Sequence, residues 1–189
     1  MSAADPSSSI QAGIIIRRVV FFILLIGLSL LYLLVTFRGL DSPKGMDQAQ
    51  IAREIARDKS FTTKVLRPVS VWQNGEIREG APVIKNANRD TYHAPLHPIL
   101  LSWALKLVGG DDADKWRMTE TDTVYKLDRV VAATAVICFL MAIGVNYLLI
   151  SRIFDPKIGG VVALLMLLCD LNWKFSQTGL PQMFMLLLF

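Results

Sequence analysis

Val130 to Ile150, VVAATAVICFLMAIGVNYLLI, runs for 21 residues without a charged side chain, and Val19 to Phe37, VVFFILLIGLSLLYLLVTF, does so for 19. At 1.5 Å per helical residue each stretch can cross a hydrocarbon core about 30 Å thick. The overall composition, 53% hydrophobic and 19% charged, lies on the apolar side of soluble domains. Clustering of those residues into runs excludes an ordinary globular domain. Ile158 to Trp173 reads as a shorter third span with Asp170 near its end. Leu180 to Phe189 reads as the start of a fourth, truncated span, which makes the chain the expected N-terminal portion of something longer.

Outward from these runs, charge orders the topology. Arg17 and Arg18 precede the first span, and Arg152 and Lys157 sit in the turn after the second. The positive-inside rule puts both groups in the cytoplasm. The expected order is a cytoplasmic N-terminus over 1–18, transmembrane helices at 19–37, 130–150, 158–173 and 180–189, a cytoplasmic turn at 151–157, and an external, periplasmic or extracellular, loop over 38–129. The fold class is thus mainly α: a multi-pass protein of the plasma (inner) membrane. The first run exceeds a signal-peptide core and no small-x-small site follows it, so it reads as a retained anchor. Ile99 to Val108 holds Lys106 and ends at Gly109-Gly110. It is too short to span, so it reads as a re-entrant or juxtamembrane helix, with Trp103 at headgroup level.

Within the loop, Asp47 to Arg57 has the pattern of an amphipathic helix. Asp47 is placed as N-cap, Gln50 completes a capping box, and Met46 staples onto Ile51. Val69 to Trp72 and Glu76 to Arg78 flank Asn74-Gly75, which predicts a small β-hairpin. Asp111 to Asp122 reads as a loose acidic loop that lacks the glycine and terminal glutamate of a calcium loop. Cys138 and Cys169 lie inside apolar runs and imply neither a disulfide nor a metal site. The net charge of +4 is spread without aromatic interleaving, which argues against nucleic acid as a partner.

An acidic residue ten positions beyond the first span, in Gly45-Met46-Asp47-Gln48-Ala49-Gln50, and a proline-rich re-entry, Tyr92-His93-Ala94-Pro95-Leu96-His97-Pro98, together resemble the N-terminal portion of polytopic glycosyltransferases of the C-type fold. That group includes the protein O-mannosyltransferases, the oligosaccharyltransferase catalytic subunits and the aminoarabinose transferase of lipid A. The resemblance implies transfer of a sugar from a polyprenyl-phosphate carrier to an acceptor on the non-cytoplasmic face, with membrane lipids as surroundings. It implies Asp47 as the catalytic acid of the first loop. A carboxylate there can take the proton of an acceptor hydroxyl as the glycosidic bond forms. An N-cap role needs no catalysis, and the two roles are compatible.

The chain departs from the family at two points. Gln48 stands where a second acid is frequent, and His93-Ala94-Pro95 stands where many members carry Glu-Lys before the proline. His93 and His97 are the candidates to replace that lysine as donors to phosphate. Pro95 and Pro98 interrupt any helix that would align the pair on a metal, so no metal ligands are assigned. No cofactor is fixed by these residues, and a divalent cation is compatible with the reaction class. Arg129, at the outer end of the second span, can either reach an anionic carrier phosphate or anchor at the interface. The alternative is a non-catalytic or truncated relative that scaffolds a membrane complex through its spans and loop.

Overall fold

The computed structural model describes the chain except for residues 1–5, 58–59, 66–67, 69–76, 79–80, 83–87, 111 and 120–121. It is mainly helical and divides into two units, 1–36 and 37–189. The first is helix α1, Pro6–Thr36. In it Ser29 Oγ donates to the Leu25 carbonyl and Thr36 Oγ1 to that of Tyr32, both at 2.7 Å. Each bond satisfies the hydroxyl on its own helix.

The second unit is built around α4, Lys126–Ile153. The other helices are α2 (Pro43–Ala56), α3 (Leu96–Gly109), α5 (Pro156–Leu168), α6 (Asp170–Ser176) and α7 (Gln182–Leu188). Helices α3, α5, α6 and α7 all pack on α4, and α2 packs on α3. On α4 the buried positions Leu127, Val131, Ala135, Cys138 and Ala142, with Ala132, Val136, Phe139 and Ile143 beside them, follow helical spacing. Alanines at three of these sites let neighbouring backbones approach. The opposite face is apolar as well, with Ile137, Met141, Val145, Leu148 and Leu149 exposed. Among the described residues α4 is the one helix long and apolar enough to cross a membrane. The α5–α6 pair makes a second if its two halves count as a single span.

That pair corrects the expectation of a continuous span over 158–173. The helix breaks at Cys169 (φ −72°, ψ 103°), and its halves meet at 58°. Two side chains beyond the break take the carbonyls it frees: Asn172 Nδ2 donates to Met166 O at 3.2 Å and Trp173 Nε1 to Leu167 O at 2.7 Å. Asp170 begins α6 and pairs with Lys174 at 2.7 Å, one turn on. The turn before α5 is tight for local reasons. Asp155 caps the Lys157 N–H at 2.9 Å, Pro156 opens the helix, and Gly159 packs against Ser151 and the Tyr147 carbonyl.

Two further expectations change in the 38–129 segment. Helix α2 begins at Pro43, with Ser42 as N-cap and the Met46 N–H on the Ser42 carbonyl at 2.9 Å. Proline's fixed φ and missing N–H suit a first turn, so Asp47 lies inside the helix. The Asp47 cap and the capping box with Gln50 are therefore not formed. Ile77–Arg78 pairs forward with Ala81–Pro82, while the expected partner strand and its Asn74-Gly75 turn lie outside the described residues. The 111–122 stretch is pinned rather than loose where it is described. Ala113–Trp116 forms a 3₁₀ turn, Trp116 Nε1 donates to Gly110 O at 3.2 Å, and Tyr125 Oη donates to Trp116 O at 3.0 Å. A pairing that the sequence did not suggest, Thr62–Thr63 (β1) with Asn88–Arg89 (β4), closes the base of the loop; β2 and β3 are Ile77–Arg78 and Ala81–Pro82.

Candidate functional site

Helix α2 carries two kinds of position. Ala49, Ile51, Ala52 and Ala56 are buried, and Gly45 lies so close to the Thr178 carbonyl that a Cβ would collide with it. Asp47 is half-buried beside this face. Its neighbour Gln48 makes the polar link to α3: His97 Nδ1 stands 2.6 Å from Gln48 Oε1. As Oε1 can only accept, Nδ1–H donates and the ring holds its proton on that nitrogen. The His97 ring also lies 6.3 Å from that of Phe184 on α7. Burial without a countercharge lowers its pKa from 6.5 to about 4, so the imidazole is neutral near pH 7. His97 thus joins α2, α3 and α7 as an uncharged group.

Helix α3 turns His97, Pro98, Leu101, Ser102, Leu105 and Gly109 inward. It leaves Trp103 69% and Leu107 87% exposed on the other side. This two-sided character is what a helix lying along an interface requires.

His93 sits just ahead of α3 and has a different partner. Its Nδ1 is 2.8 Å from Asp90 Oδ2, which also accepts from the His93 backbone N–H at 3.0 Å. Only 5% of the His93 side chain and 2% of the Asp90 side chain are exposed. His93 Nε2 is buried and has no hydrogen-bond partner. The two histidines therefore hold different residues through Nδ1. Among the described residues no three His, Cys, Asp or Glu side chains gather as a metal site.

Arg129, in the first turn of α4, has a buried Nε without a hydrogen-bond partner. The ionic contacts at this end of α4 belong to its neighbours. Arg53 of α2 lies 3.4 Å from Asp128 Oδ1, close enough to pair but not aligned as a hydrogen bond, and covers the Tyr125 ring at 5.0 Å. Arg57 covers Trp116 at 5.4 Å. A cleft of about 600 Å³ between the end of α3 and the start of α4 is lined by Val108, Lys115, Thr119, Lys126 and Leu127. None of the candidate residues lines it, and Asp122 pairs with Lys126 at 3.3 Å.

His93 and His97 thus have separate partners, Asp90 and Gln48. Sequence reasoning missed Asp90 and the Gln48 link. An Asp three residues before a His was a readable signal for the first, whereas the second spans 49 positions and left none. No protein-family profile, curated protein or solved structure matches the chain.

Proposed function

We propose that the chain belongs to a membrane glycosyltransferase that moves a sugar from a polyprenyl-phosphate carrier to a hydroxyl acceptor on the non-cytoplasmic face. The observation that carries this reading is the Gln48–His97 contact. It docks the helix bearing Asp47 onto α3, whose outer face is apolar. If α3 lies along the interface, Asp47 is held near the level where a carrier phosphate resides. In the proposed step the acceptor oxygen bonds to the anomeric carbon, the bond from that carbon to the phosphate oxygen breaks, and its electron pair leaves with the phosphate. The acceptor's proton passes to the Asp47 carboxylate. The multi-pass topology, with the N-terminus cytoplasmic and the 38–129 loop periplasmic or extracellular, is part of this proposal, as are contacts of Arg129 or His93 with the carrier.

Asp47→Asn tests it. The residue lies inside α2 rather than at its cap, so the amide keeps the helix start intact while removing the base. Transfer by the full-length protein should fall about 10²–10⁴-fold without loss of fold. Near-normal transfer would exclude Asp47 as the base. The outward apolar faces of α4 and α5 favour one second reading, a non-catalytic subunit that packs against partner helices. In that case wild type and Asp47→Asn would be equally inactive on their own.

A further inference from the structure

The segment leading into α3 holds a polar pair, Asp90 and His93, that takes no part in the proton transfer proposed above. Asp90 is fixed from both sides: its N–H donates to the Phe61 carbonyl at 3.3 Å, next to the β1–β4 pairing. Its carboxylate accepts from the Tyr92 N–H at 3.4 Å, the His93 N–H at 3.0 Å and His93 Nδ1 at 2.8 Å. With Nδ1–H committed to Asp90, Nε2 is the ring nitrogen left over, and in an unprotonated imidazole that nitrogen is a lone pair that accepts. That atom is buried without a partner. Folded proteins seldom leave such an atom unsatisfied unless a water, an ion or a ligand completes it. The chain neighbours of His93, Thr91, Tyr92, Ala94 and Pro95, are exposed. The Tyr92 ring, 58% exposed, stands edge-on to the imidazole with centroids 5.0 Å apart.

We propose that His93 Nε2 is a hydroxyl-binding site, completed by a sugar hydroxyl, with Tyr92 beside it to meet an apolar C–H face of the same sugar. Asp90 is the positioning residue, because it decides which ring nitrogen carries the proton. The need for an O–H donor follows from the lone pair. The choice of a sugar as its bearer rests on the glycosyltransferase reading. A site of this kind discriminates strongly against an analogue lacking the hydroxyl, since the acceptor is then left unpaired again.

The test is an imidazole ¹⁵N spectrum of the full chain in a sugar-free detergent. With two histidines in the sequence, a His97→Gln sample assigns both rings. Octyl glucoside is the probe, and octyl phosphocholine is the control with the same tail. Saturable upfield movement of the His93 Nε2 resonance with the glucoside alone is the expected result, and Asp90→Asn should abolish it. The proposal is overturned if the resonance does not move or if phosphocholine moves it equally. It is also overturned if the resonance is already hydrogen-bonded before sugar is added and stays there, which would mark a buried water. Transfer plays no part in this readout. Normal transfer by Asp47→Asn alongside a His93 shift would refute Asp47 as the base and leave the hydroxyl site standing.

Discussion

His97 should make the protein acid-sensitive over a definable range. In the unfolded chain its imidazole takes a proton near pH 6.5, whereas in the fold it resists protonation down to about 4. As pH falls, the unfolded state therefore binds the proton first. The stabilisation is complete above about 6.5 and is lost as pH approaches 4. At about 1.4 kcal/mol per pH unit, the loss is about 2 kcal/mol by pH 5 and about 3 kcal/mol by pH 4. Carboxylates also titrate here, so the comparison has to be with a variant that lacks only this group. His97→Gln retains a side-chain donor for Gln48 Oε1 and does not titrate. Unfolding free energies of both proteins, measured by urea titration in a neutral detergent at pH 7.5, 5 and 4, should diverge. Wild type should lose about 3 kcal/mol more than the variant across the range. Parallel curves, or a His97 titration near its ordinary value in the imidazole spectrum, would refute the account of a buried, uncharged linker.

Gly45→Ala should cost about 1–3 kcal/mol, because the new methyl meets the Thr178 carbonyl, a backbone atom that cannot rotate away. Gly144→Ala, with open space around it, should melt at or slightly above the wild-type temperature, and equal melting of the two variants would exclude this packing argument. For the topology, cysteines placed at the exposed Ser60 and Lys157 of a chain with Cys138 and Cys169 replaced should react with an impermeant thiol reagent from opposite sides of the membrane. Same-side labelling would overturn the proposed crossing by α4.

What could be read from the sequence is what depends on neighbouring residues. The uncharged run Val130–Ile150 is helical because its apolar side chains leave the backbone no better partner than itself, and the structure carries that helix one turn further at its start. The short apolar run before Gly109-Gly110 was equally legible, because helix termination acts over one turn. Even there the nearest signal did not always win: Asp47 has the chemistry of a cap, but Pro43 starts the helix four residues earlier. The tertiary structure decided the rest. Cys169 breaks an apolar run that looks continuous, and the break is tolerable only because Asn172 and Trp173 fold back onto the freed carbonyls. Whether His97 is a cation or a neutral strut depended on burial against α2 and α7, which no local pattern encodes. The same holds for His93, whose Nδ1 is held by Asp90 and whose second nitrogen the fold buries without a partner. Periodicity and caps are short-range and show in the order of residues. Charge state and hydrogen-bond satisfaction follow from which distant groups share a dry space, and only folding brings those groups together.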